Sequence, residues 1–449
     1  MKRALIAVVF AGSLAGQDAA SAPATSLDCS LDPLFGKLQD NLPLVRLGRD
    51  LFYDPILSGN KTVACATCHH PALGTSDGVA LSLGDGGVGL GPDRRADPQN
   101  MPEQRIPRNA QSLFNLGYQE FSVLFHDGRV ERLEGGLIRT PLGNIPDTSR
   151  LSLLAALSKF PVTSADEMAG HYSENAISQA VRRGLIQGPG GAHERLADRV
   201  SMIPAYRAQF TQTNGGDTPI TYERIALALA AFMAHEWRAD RSPFDRHLCS
   251  GEEIPTEATA GMKLFYGKAG CSDCHSGRFQ TDHGFHAIAM PQIGPGKSER
   301  FETHARDIGR MRVTGQPEDA YKFRTPSLRN VALTAPYGHA GAYPDLQSVI
   351  RHHLDPLAAL SAYDQTQVVL PILTGATDFE ILHSKAETQP IADANELTAT
   401  ELSDRDIDQL VAFLEALTDL SGVKGRLGVP KTVPSGLPVP LLKDGFTDR

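Results

Sequence analysis

The sequence predicts a mainly α fold built as two related halves, and three observations carry that reading. A C-x-x-C-H pentad occurs twice, as Cys65-Ala66-Thr67-Cys68-His69 and as Cys271-Ser272-Asp273-Cys274-His275. Each pentad follows a similar lead-in, a helix-like stretch ending in Phe52-Tyr53 or Phe265-Tyr266 and then a loop, which is a weak internal repeat. Elsewhere apolar residues recur at helical spacing, and no convincing run of alternating strand residues appears.

The pentad has a specific chemistry. C-x-x-C-H is the attachment signature of c-type haem: two thiols add across the two vinyl groups of one porphyrin, and the following His lies under the iron. A C-x-x-C redox pair, or half a zinc site, beside an incidental His is the other reading. Two complete copies among six cysteines favour haem, so Cys65, Cys68 and His69 are expected to hold one c-type haem and Cys271, Cys274 and His275 a second. The leftover Cys29 and Cys249 form either a disulfide, which an oxidising compartment favours, or two separate thiols.

The chain has 449 residues and a formal net charge of -9 with no long run of one sign. That length allows two or three domains around a large core, and that charge pattern points to neither nucleic acid nor an anionic membrane. Residues 1–22 read as a secretory signal: Lys2 and Arg3 at the charged end, a short apolar core from Leu5 to Leu14, and a cleavage site at Ala20-Ser21-Ala22. The other reading is a buried first helix. The apolar run is too short to span a membrane, so no span is expected in the mature chain. Export to the periplasm fits the pentads, because bacterial c-type haem is attached outside the cytoplasm.

Taken in order, Leu34 to Phe52 has helical spacing broken at Pro43, and Ser58-Gly59-Asn60 is a loop before the first pentad. Residues 71–107 are rich in Gly, Asp and Pro and read as a long irregular loop, functional or lid-like, with no His after His70. Residues 150–158, 174–186 and 221–237 read as helices, the last apolar enough to be buried. Ser242-Pro243-Phe244-Asp245 is a turn and a boundary. Thr259 to Tyr266 restarts the pattern, residues 291–325 form a further loop, and Ser403 to Leu417 is a strongly amphipathic last helix. Asp404 and Asp406 suit the positive end of that helix. The Pro-rich tail from Val429 is expected to lie over the surface. The expected layout is 1–22 signal, 23–250 and 251–428 as the two haem domains, and 429–449 as tail.

Several stretches carry a resemblance: LGRDLFYDP before the first pentad, RNAQSLFN, FHDGR, PVTSADEM, SPFDRHL before the second pentad, and TPSLRNVALTAPYGHAG after it. Over most of the mature chain the sequence resembles the bacterial di-haem cytochrome c peroxidases, including MauG and the MauG-like enzymes. It looks most similar to the MbnH-type, MauG-like branch associated with copper homeostasis. The resemblance implies two cytochrome c-like haem domains packed together, with a peroxide-reactive haem on His69, an electron-transfer haem on His275, and a Ca2+ ion between the domains.

It also implies roles for particular residues. The family's distal acid/base Glu falls at Glu167, in Pro161-Val162-Thr163-Ser164-Ala165-Asp166-Glu167-Met168; the competing reading is a capping box between Ser164 and Glu167. The distal Gln of relatives has no equivalent here. Some relatives close the peroxide-reactive haem with a loop His that residues 71–107 lack, which implies an iron open without prior reduction. Where peroxidases of the family place a Met and MauG a Tyr, this chain has His353 on a predicted helix; His352, pointing about 100° away, is its exposed neighbour. Met290 and Met311 are lower-ranked rivals. Bis-His ligation would lower the second haem's potential relative to His/Met. His126 stands where relatives carry a Trp between the haems, and Trp237 is either a substitute bridge or a core aromatic. The ligands implied for Ca2+ are the Asn109 side chain and the Thr334 and Pro336 carbonyls.

The expected function is thus a periplasmic di-haem oxidoreductase that reacts with hydrogen peroxide, forms a high-valent di-haem state and oxidises a partner protein, for example a Trp side chain on a copper-associated protein. The alternatives are a cytochrome c peroxidase fed by a small cytochrome c or cupredoxin, and a non-catalytic di-haem electron carrier.

Overall fold

The computed structural model describes residues 29–442 except 31, 215, 217, 299–301 and 303. The expected signal and its cleavage site lie outside the described residues. The described chain is helix-rich with small sheets. It is organised around one contact that occurs twice. Helix α1 (Leu42–Tyr53) crosses α2 (Tyr222–Glu236), and α4 (Thr256–Phe265) crosses α6 (Asp404–Glu415), once α3 (Pro243–Ser250) and α5 (Leu346–Leu354) are counted in chain order.

At the first crossing a Cβ on Gly48 would sit 1.9 Å from the Ala228 carbonyl oxygen and 2.8 Å from Phe232 Cβ. At the second, a Cβ on Gly261 would sit 1.8 Å from the Gln409 carbonyl oxygen and 3.0 Å from Phe413 Cβ. Only glycine lets backbone ride on backbone this closely. One turn on, Phe52 meets Phe232 with ring centroids 5.3 Å apart, and Phe265 meets Phe413 at 5.1 Å. The G-x-x-L-F-Y lead-in of each half therefore codes one helix crossing, used twice. It delivers the chain to the loop that carries each pentad.

Two hydrophobic cores follow from the two crossings. The first gathers residues from Leu34 to Ala239 with Phe279 and Val433. The second gathers Phe244, Phe265, Val331, Leu346, Leu410, Phe413, Leu414 and Leu417. Phe244 already belongs to the second core, so the chain changes cores at Ser242-Pro243. There the residues read as a turn begin a helix instead, and Ser242 and Asp245 cap α3 reciprocally. Ser403 and Asp406 do the same for α6, whose first turn also carries Asp404.

Four other departures from the sequence reading bear on how the chain is held together. A small antiparallel sheet runs Val123–Leu124, Val130–Leu133, Leu137–Arg139 and Ile145–Pro146. Its strands are too short to give a period-two signal, although Gly135 and Gly136, both at positive φ, mark the turn that pairs Leu133 with Leu137. Helices Ala192–Ser201 and Pro204–Asn214 were not expected. The tail does not merely cover the surface: Val433 is buried in the first core, and Ser435 Oγ donates to buried Asp54 Oδ1 at 2.7 Å.

The fourth departure concerns residues 71–107, which are not a lid. Val79, Ala80 and Leu81 are fully buried, and Ala80 N–H donates to Val369 O at 2.8 Å. Buried Arg94 spends its guanidinium on the carbonyls of Leu83, Gly84 and Gly89. Arg105 makes a bidentate pair with Asp378, at 2.7 and 2.9 Å. A segment tied at both ends to the other half is a strap. Cys29 and Cys249 are joined by a disulfide, with Cα atoms 5.9 Å apart. It pins the N-terminal residues to the end of α3.

Gly261→Ala replaces free space with a backbone collision. Overpacking of this kind costs about 2–3 kcal/mol, more than the ~1 kcal/mol that Ala gains over Gly in a helix. Thermal unfolding of the holoprotein is expected to show a lowered midpoint, whereas the same change at half-buried Gly36, whose added Cβ meets nothing within 4 Å, is neutral or stabilising.

Candidate haem sites

Each pentad lines a largely apolar cavity. The first is walled by Cys65, Cys68 and His69 with Phe52, Leu113, Leu157, Val162, Met168, Leu229 and Met233, among others. The second is walled by Cys271, Cys274 and His275 with Phe265, Leu328, Val331, Leu346, Val349 and Leu410. The helix crossings thus supply cavity wall as well as core.

The two pentads are built alike. His69 N–H donates to Cys65 O at 3.0 Å, and His275 N–H to Cys271 O at 2.9 Å, which closes each pentad into one turn. His69 Nδ1–H donates to Thr75 O at 2.9 Å, and His275 Nδ1–H to Gln280 O at 3.1 Å. This fixes the tautomer and leaves Nε2 of each ring for a metal. The accepting carbonyls belong to residues with φ of 59° and 47°, a region that a β-branched residue such as Thr75 avoids. Both loops hold this strain at the point where the imidazole is aimed. Thr75 is kept there by its hydroxyl, which accepts from Leu113 N–H at 2.9 Å.

The residues fit covalent haem. Burial pushes the Cys65, Cys68 and Cys271 thiols up to about 12 and raises Cys274 as well. Sulfurs in such surroundings favour uncharged forms, as in a thioether, over the thiolate that zinc or redox chemistry needs. Burial likewise lowers His69, and lowers His275 to about 4, so both rings are neutral ligands.

The other predicted residues divide between the cavities. Glu167 lines the first, on the single turn Ala165–Ala169. Ser164 makes no side-chain cap to that turn's backbone, so the capping-box reading fails. Burial raises the Glu167 pKa, against the opposing pull of Arg129 and Lys297. His353 lines the second cavity with His275, and Met290 is on the same wall, while Met311 lines neither. His353 Nδ1–H donates to Val349 O at 2.8 Å within α5, leaving its Nε2 available.

His352 is not exposed, as the sequence suggested, but 0% accessible. Its Nε2–H donates to Ile288 O and its Nδ1 accepts from Tyr343 O–H, both at 2.8 Å. Both nitrogens are spent, and the two adjacent rings stand 89° apart. His126 lines both cavities, and its Nε2–H donates to Asn109 O at 3.0 Å. Burial and then Arg108 push it down to about 4. Trp237 lines neither cavity: it is buried in the first core and packs on Phe52 and Phe232 at 5.0 and 5.1 Å.

Asn109, Thr334 and Pro336 share the wall of the second cavity. Asn109 Nδ2 donates to Val79 O at 2.9 Å and Ala80 O at 3.2 Å, which commits the amide nitrogen and leaves Oδ1 as a hard oxygen donor. Arg108, between the halves, donates from Nε to Asp307 at 2.7 Å and from Nη1 to Asp127 at 2.7 Å. Burial alone would raise both carboxyls, but Arg108 outweighs it, with Arg129 helping at Asp127; Asp307 is held at about 2 and Asp127 lower still. Two residues of the first cavity escaped the sequence reading, Arg129 and Lys297. Lys297 comes from the loop of the other half, and no local signal could have placed it.

Residues 43–253 match the model of the di-haem cytochrome c peroxidase family. The chain is 29% identical over 313 residues to methylamine utilization protein MauG of Methylorubrum extorquens, covering 69% of this chain and 68% of that one. It is 30% identical over 330 residues to the cytochrome-c peroxidase IdrP1 of Denitromonas iodatirespirans, covering 68% of this chain and 71% of that one. A solved MauG-like protein associated with microbial copper homeostasis aligns with a TM-score of 0.54 at 25% identity, over 86% of this chain and 93% of that one. With its paired C-x-x-C-H cavities, the chain belongs to the di-haem cytochrome c peroxidase family, MauG among its relatives, and is a peroxide-reactive oxidoreductase.

Proposed function

We propose that this is a periplasmic enzyme that takes up hydrogen peroxide in the first cavity and uses the oxidising equivalents on a partner protein. The observation that carries this reading is the asymmetry of the two cavities. The second is lined by two histidines whose Nδ1 is committed and whose Nε2 is unspent, His275 and His353. The first offers His69 and, in place of a second free His, the carboxyl of Glu167. His126 on the first wall is already committed to Asn109 O.

When bound, the two haems supply peroxide reduction at one iron and electron exchange at the other. The protein's part is proton movement and exclusion of water. Glu167 would take a proton from one peroxide oxygen and return it to the other, so that the second oxygen could leave as water. Two electrons then come from the partner. Neutral His126, on both walls, is the side chain that spans the gap where relatives have a Trp. Asn109, Thr334 and Pro336 would hold a Ca2+ that stiffens this junction. The MauG-like relative's association with copper homeostasis favours a secreted copper-associated protein as partner, with a Trp as one candidate side chain. The 30% identity to a cytochrome-c peroxidase favours a second reading, reduction of peroxide to water with a small cytochrome c or cupredoxin as donor.

Two variants test the reading. A carboxylate acts as base only above its pKa, and burial raises that of Glu167. The rate of the ferric protein's reaction with peroxide should therefore rise with pH through a raised carboxyl pKa. In Glu167→Gln that limb should vanish and the rate fall about 10²–10⁴-fold. An unchanged rate and profile would remove Glu167 from the mechanism.

For the second haem, His353→Leu should replace a low-spin ferric EPR signal with a high-spin one. His352→Leu should keep the low-spin signal and lose about 1–3 kcal/mol of stability, because Tyr343 O–H and Ile288 O are left without their partner. The reverse pattern would exchange the two assignments.

A further inference from the structure

The ionisable side chains on the first cavity wall, beyond the pentad, are Arg108, His126, Arg129, Glu167 and Lys297. Arg108 is held by Asp127 and Asp307, Arg129 by Asp127, and His126 by Asn109 O. Lys297 makes no hydrogen bond or ion pair among the described residues, yet it is half-buried on this wall. Its charged neighbours are Arg129, Asp127, Arg108 and Glu167. An ammonium kept from water without a bonded anion is costly unless something anionic comes to it. The other group on the wall without an ion pair, Glu167, which accepts a hydrogen bond from the Ser164 side chain, is a proton acceptor, and a peroxide that loses its proton becomes an anion in this cavity.

We propose that Lys297, reaching into the first cavity from the loop of the other half, is the group that stabilises the negative charge on peroxide when Glu167 takes its proton. The inference rests on the peroxide chemistry proposed for this cavity. The O–H bond of peroxide breaks, its proton passes to the Glu167 carboxylate, and the electron pair stays on oxygen beside the ammonium, which keeps its own proton. Oxidation states do not change in this step. Glu167 and Lys297 thus divide the work, one moving the proton and the other holding the charge. The arrangement also makes the peroxide site depend on both halves of the chain. Burial and the facing Arg129 lower Lys297 to about 8, with Asp127 and Glu167 opposing. The ammonium is therefore present at neutral pH and is lost in mild alkali.

Fluoride is the probe: a small anion that binds ferric haem, read optically, with no turnover. With haem content and the second haem's EPR signal verified in each variant, Lys297→Met should weaken fluoride binding to the first haem about tenfold at pH 6.5, while Lys297→Arg, which keeps the charge, stays near wild type. Raising the pH to 9 should weaken binding to wild type more than to Lys297→Arg, because Arg does not titrate there. Equal fluoride affinity and pH dependence in all three proteins would overturn the inference. So would a change confined to the first haem's reduction potential, which would mark Lys297 as an anchor for haem carboxylates. A wild-type protein that binds peroxide but shows no difference from Lys297→Met refutes only the lysine. A wild-type protein that binds neither fluoride nor peroxide refutes the open-iron reading, and the inference with it.

Discussion

The structure depends on a backbone-to-backbone contact made twice, at Gly48 against Ala228 and at Gly261 against Gln409. Any Cβ at either glycine would separate the crossing helices, and the phenylalanine pairs one turn on would lose their contact. Those same helices carry Phe52 and Phe265 into the cavity walls. Core, crossing and cofactor pocket are therefore one packing problem in each half, solved with the same G-x-x-L-F-Y segment. The disulfide from Cys29 to Cys249 and the tail contact from Ser435 to Asp54 bind the chain ends to this frame.

Similar frames hold different sites. Each proximal imidazole is aimed by a carbonyl in strained backbone, at Thr75 and at Gln280. Beyond that the halves diverge. The second cavity adds His353 from α5, while the first adds Glu167 and Lys297. Between them lies the buried Arg108, with Asp127 and Asp307 as partners from the two halves. Its charge is shared between two buried carboxylates, and removing either would leave Arg108 with one partner where it now has two. Residues 71–107, clamped by Arg94 and Arg105, cannot swing a side chain over the first haem without breaking these ties.

Much of this was legible because the signals were local. The pentads, the amphipathic runs and the acidic start of the last helix, Asp404 and Asp406, each involve residues within a few turns of one another. Glu167 and His353 became visible through resemblance, on short motifs. What escaped was of two kinds. The strands from Val123 to Pro146 are too short to alternate visibly, and the tail's anchoring rests on single residues, Val433 and Ser435. The rest was non-local. The packing of Trp237 is set by Phe52 and Phe232, and the burial of His352 by Tyr343 and Ile288. Lys297 reaches the first cavity from the second half, a distance in sequence that no periodicity spans.

The central claim is that the two irons are unequal, one open to peroxide and one closed by two histidines. The most direct test is an EPR and optical titration of the fully oxidised protein with stoichiometric hydrogen peroxide and no electron donor. The account predicts one high-spin and one low-spin ferric signal, both lost on addition of peroxide and slowly recovering. Two low-spin signals unmoved by peroxide would contradict it and leave an electron carrier, or an enzyme that must first be reduced.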